Sequence, residues 1–119
     1  MANTFRMTNE LNLSTTLETI YTVPSSTTAV ILGIMISNTS TSAARGSVQL
    51  VSTTATSTNS GASNANESTH LIKDAPISNS SSLEVMSGNK IILQTGDVLK
   101  AKSDTASALD IAISYMEIT

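Results

Sequence analysis

The chain has 119 residues and a net charge of −3, with no cysteine, no tryptophan, one histidine and one phenylalanine. That length suits one domain able to bury roughly two-thirds of its unfolded surface. The missing cysteines exclude disulfides and thiolate metal sites, and the lone His70 excludes multi-histidine sites and most triad chemistry. Six basic residues against nine acidic ones argue against a nucleic-acid-binding domain, which would show a basic stripe. Serine and threonine supply 38 positions; threonine favours strands and serine favours turns, so the bias is all-β.

Residues 1–12 read as an N-terminal arm, polar except for Phe5 and Met7. Those two side chains are candidate contacts to a neighbouring subunit, and removing 1–8 is expected to leave the domain folded. The single domain then runs over 13–119. Leu13 to Val23 is the first strand candidate, closed by Pro24, which has no N–H to donate. Ala29 to Ile36 is apolar on both faces, as in a strand covered on each side. One face would meet the other sheet; the second needs a loop or another subunit. Gly33 inside that run suggests a bulge or a close approach. Gly46 to Val51 is a third strand, with Val48 and Leu50 inward.

Residues 52–69 are Ser, Thr, Asn, Ala and Gly with a single charge, Glu67. Structureless connections of this length are often functional or disordered. Asn59, Ser60, Asn64 and Asn66 within it are further candidate inter-subunit contacts. His70 to Ala75 is a fourth strand, ended by Pro76, with Asp74 capping the turn and His70 half exposed. Ser82 to Lys102 then alternates short apolar runs with turns at Gly88 and Gly96, where glycine takes φ > 0 without steric cost. Three neighbouring strands joined by tight turns are expected there. In Ser107 to Ile118, Leu109, Ile111, Ile113 and Tyr115 share one face in strict alternation, and a one-residue slip would turn Asp110 inward. About eight short strands separated by turns indicate an all-β, two-sheet antiparallel sandwich, with jelly-roll topology among the arrangements allowed.

No catalytic motif emerges. Gly-x-Ser-x-Gly, the phosphate-binding glycine loops and the Asp-rich calcium loop are all absent. Asp97, Asp104 and Asp110 read as solvated turn or strand carboxylates. The expectation is a non-enzymatic protein with no cofactor, no metal, and no nucleic-acid or membrane partner. The start lacks the basic-then-apolar plan of a signal peptide, and the apolar run at Ala29 is too short to span a bilayer.

Four segments in order carry a resemblance: Ile20–Pro24, Leu71–Ile77, Ser82–Val85 with Leu93–Asp97, and the ending Leu109–Thr119. Together they resemble a family of small structural proteins of marine and cyanobacterial bacteriophages, over residues 15–119. The resemblance implies a virion protein made in the bacterial cytoplasm, with no catalytic residues to carry over. Its most direct form is a capsid decoration or cement subunit, homo-oligomeric and seated on the major capsid protein. The alternative is an adaptor in a tail, baseplate or fibre, which in its exposed form would contact the host surface. The long loop departs from the family pattern in its length and Ser/Asn content.

Overall fold

Period-two alternation, interrupted at bulges, decides which side chains turn inward, and its hydrophobic half builds the centre of the molecule. The computed structural model describes residues 2–53 and 67–119. Its strands are β1 (Asn3–Glu10), β2 (Glu18–Thr22), β3 (Thr28–Asn38), β4 (Ala44–Val51), β5 (Ser68–Ile77), β6 (Ser82–Glu84), β7 (Ile91–Leu93), β8 (Val98–Ser103) and β9 (Leu109–Ile118).

Every pairing is antiparallel. β4 pairs β5, β3 pairs β6 and β7, β2 pairs β8, and β1 pairs β9. These nested pairs describe one long hairpin with its tip between β4 and β5. Rolling it up adds the lateral pairs β3–β9 and β4–β8. Two sheets result, ordered β1-β9-β3-β6 with β7 also on β3, and β2-β8-β4-β5. This is jelly-roll connectivity, with β6 and β7 as two pieces of one strand position.

The core lies between the sheets. β9 contributes Leu109, Ile111, Ile113 and Tyr115, all buried, and β3 contributes Ala29, Ile31, Ile34 and Ile36. Opposite them stand Tyr21, Val48, Leu99 and Ala101. On β3 the inward spacing jumps from two to three between Ile31 and Ile34, because the register with β9 shifts between Ile31 and Gly33. The expected irregularity at Gly33 is therefore a bulge. The close approach of backbone to side chain occurs at Gly46, where a Cβ would lie 3.2 Å from Leu109 Cδ1 and 3.3 Å from Ile36 Cδ1. The gap between β6 and β7 is bridged by Glu84, whose Oε1 accepts from Ile34 N (3.4 Å) and Met86 N (3.1 Å).

Several expectations are revised. Residues 3–10 are not a free arm; they form β1, paired with β9 along their length, which raises the strand count above eight. β6, β7 and β8 are not three neighbours: β6 and β7 lie end to end on β3, and the Gly96 turn carries the chain across to the other sheet. Gly88 and Gly96 do take positive φ, as those reversals require. Pro76 does not end its strand but lies within β5, opposite Arg45; β5 is an edge strand, where a missing N–H is tolerated. Asp74 caps no turn. It sits inside β5 at φ 50°, with its N–H donated to the buried Ser47 hydroxyl (2.9 Å).

Asp97 is the sharpest correction. It is 3% exposed, and its carboxylate gathers the backbone N–H groups of Gln94 and Thr53 (both 2.9 Å) and the Ser52 hydroxyl (3.1 Å). Asp104 and Asp110 are structural acceptors too, for the N–H of Arg45 (2.9 Å) and of Asn12 (2.8 Å).

Candidate functional site

β1 inverts the usual strand pattern. Thr4, Arg6 and Thr8 take its inner side, with the Arg6 side chain still 55% exposed at the sheet edge, and Phe5 and Met7 face out. Directly opposed residues in an antiparallel pair share a face, so Thr4, Arg6 and Thr8 lie on the inner side with Glu117, Tyr115 and Ile113. There Arg6 Nε donates to Glu117 Oε1 (2.8 Å), and the Tyr21 hydroxyl donates to Glu117 Oε2 (2.8 Å). Thr8 Oγ1 and the Tyr115 hydroxyl share a hydrogen bond (3.1 Å). The Tyr21 and Tyr115 rings pack at 4.3 Å between centroids. Glu117 is thus a buried carboxylate with both oxygens partnered, joining β1, β9 and β2.

Burial pushes the Tyr21 phenol above its ordinary value near 10.0, and the hydrogen bond to Glu117 and that group's negative charge push it further. The folded chain holds this proton more tightly than the unfolded chain does. Its contribution to stability is therefore complete below the unfolded value and is lost as pH climbs from there through the folded value. Denaturant melts between about pH 9 and about pH 11 are expected to show falling stability, with a smaller fall in Tyr21→Phe. An equal fall in both proteins would place the alkaline sensitivity elsewhere.

The outward side of β1 belongs to an apolar surface. Phe5 lies opposite Met116, Met116 opposite Val30, and Val30 opposite Ile92. One cross-strand row, Phe5–Met116–Val30–Ile92, therefore spans β1, β9, β3 and β7. Phe5 is 73% exposed and Ile92 63%. Beside this row, Phe5, Met7, Leu32 and Ser114, together with Arg6 and Tyr115, line a shallow open depression. Met35, also exposed, extends the face towards β6.

The second sheet provides the contrast. Its equivalent row is Thr19–Lys100–Gln49–His70, in which the Gln49 side-chain amide and a His70 ring nitrogen lie 2.9 Å apart. That face is an ordinary solvated sheet surface. Single exposed apolar residues need no explanation, but a contiguous apolar row does.

Of the residues singled out from sequence, Phe5 and Met7 stand together on this face. Asn59, Ser60, Asn64 and Asn66 lie outside the described residues. β4 and β5 pair directly, so the long segment connects adjacent strands. Sequence reasoning did not select Met116, Val30, Leu32 or Ile92. The available signal was the two-faced apolar run over β3; the pairing of the other strands with it was not visible. Among the described residues, no three or more His, Cys, Asp or Glu side chains are grouped so as to hold a metal ion, and no helix is long and apolar enough to cross a membrane.

No family model and no curated protein matches the chain. Among solved structures it is similar to one described as showing that "Bacillus endospore appendages form a novel family of disulfide-linked pili". The identity is 13% and the TM-score 0.48, over 99% of this chain and 87% of that one.

Proposed function

We propose that this protein is a non-enzymatic structural subunit of a bacteriophage particle, acting as a decoration or cement subunit on the capsid. The observation that supports this reading is the apolar outer face of the β1-β9-β3 sheet, with Phe5 and Ile92 mostly in solvent. A surface of that kind is suited to burial against another protein. The jelly roll itself serves viral capsids and lectins alike, so connectivity does not choose between them. The ordered sequence segments that resemble phage structural proteins add the particle as the context. In this reading the work is done by burial and shape, and no bond is made or broken.

Quantitative mass spectrometry of purified particles, with the major capsid protein as internal reference, tests the proposal. A copy number comparable to that of the capsid protein is expected. A count of only a few to a few tens per particle would move the subunit to the neck, tail or baseplate. Absence from the particle would overturn the reading.

A further inference from the structure

The outer face of the β1-β9-β3 sheet is self-complementary. Its central row places Phe5 and Ile92 at the two ends, with Met116 and Val30 between them. A two-fold axis parallel to the strands, running between β9 and β3, exchanges the two ends of that row. It sets Phe5 over Ile92 of the partner subunit and Met116 over Val30 of the partner subunit. We propose that the occupant of this face is a second copy of the same chain, docked face to face about that axis. The inference deepens the assembly role proposed above and rests on that reading for its biological setting.

Three observations support a second copy. The first is charge. Each chain carries −3, so association must bury an uncharged surface, and the apolar row contains no ionisable residue. The acidic groups on this side are Glu84, level with Met35, and Asp110, level with Ser37. Along β9 their levels stand four and six residues from Met116, roughly 14 Å and 20 Å away. Under the two-fold, Glu84 comes over the uncharged Asn9 region of the partner and Asp110 over the Ser37 region. The Glu84 carboxylate is already engaged by the amides of Ile34 and Met86.

The second observation is area. β1, β9 and β3 have 8, 10 and 11 residues and β6 and β7 have 3 each, which at the strand rise and spacing of a sheet present roughly 570 Å² of flat surface. That is near the ~600 Å² per partner at the low end of specific interfaces. The third is geometry. Sheets that pack face to face interdigitate large and small side chains at about 10 Å separation. The depression lined by Phe5, Arg6, Met7, Leu32, Ser114 and Tyr115 is a recess in which an apolar side chain of the opposing row would pack. An isologous contact of this kind closes on itself as a dimer.

Sedimentation analysis of the purified full chain over a concentration series tests the proposal. A reversible dimer is expected. Phe5→Lys and Ile92→Lys each place a charge in the row at a position already exposed, so the fold should be retained, as checked by circular dichroism and melting temperature. Each is expected to weaken association at least about tenfold. Phe5→Leu should restore it, and Lys100→Ser on the opposite sheet should leave it unchanged. A monomer at every concentration, or a dimer indifferent to both lysine substitutions, would overturn the proposal. A monomer that is nonetheless abundant in particles would preserve the virion reading and sink the self-docking. A face-dependent dimer that is absent from particles would do the reverse.

Discussion

Replacing Asp97 with alanine should cost about 3 kcal/mol and lower the melting temperature by roughly 10 °C. The side chain is 3% exposed and makes no ion pair among the described residues. Its value lies in what it accepts. One oxygen takes the N–H of Gln94; the other takes the N–H of Thr53 and the Ser52 hydroxyl. The two N–H groups come from the β7–β8 turn and from the chain leaving β4. Alanine leaves both without a carboxylate partner; a fully buried group would cost about 1–3 kcal/mol, and because Gln94 and Thr53 are exposed residues water recovers part of it. Asp97→Asn is a stricter test. An amide offers one acceptor oxygen, so its NH₂ must face one of the two N–H donors. That variant should lose about half as much as alanine, where a merely solvated turn carboxylate would tolerate the change. Denaturant melts of both variants decide the matter, and wild-type stability in Asp97→Asn would show that the second acceptor contributes nothing.

The second large effect concerns β1. Deletion of residues 2–10 should destabilise the domain by roughly 3 kcal/mol or more and promote association through the exposed edge of β9. The strand contributes backbone pairing with β9 along its whole length. It also brings Arg6 to Glu117 and Thr8 to Tyr115. Without it, Glu117 keeps Tyr21 but loses its cation, and β9 becomes an unprotected edge flanked by Ile111 and Ile113. An arm that merely docks on a neighbour would behave differently, since the truncated chain would then melt as the full chain does. Melting temperature and sedimentation, measured together, separate the two cases. Point changes at Phe5 or Met7 do not substitute for the deletion, because both side chains project into solvent and leave the β1–β9 ladder intact.

The contrast between these two regions shows what can be read locally. β9 was legible because its inward positions are Leu109, Ile111, Ile113 and Tyr115, and a period-two pattern of large apolar residues has one sensible orientation. β1 has an equally regular alternation, Thr4, Phe5, Arg6, Met7, Thr8, but with the opposite sense. Thr4, Arg6 and Thr8 go to the inner side because Glu117 and the two tyrosines stand there. A rule that sends apolar residues to the core cannot recover such a strand. Nor could the outer face be assembled from its pieces, since Phe5, Val30, Ile92 and Met116 lie far apart in the chain and share a surface only through β-sheet register.

Legible in the residues alone are the all-β class, the strongest strands, the glycine-bearing reversals at Gly88 and Gly96, and which side chains of β9 turn inward. Each of these depends on short-range chemistry: alternation, β-branching, and the freedom of glycine at positive φ. The tertiary structure alone decided the pairing of strands, the burial of Asp97, the inverted setting of β1 and the continuity of the apolar face. Those depend on groups far apart in the chain, as with Arg6 and Glu117, 111 residues apart. A side chain's environment there is set by which strand arrives beside it, and nothing local to either residue specifies that arrival.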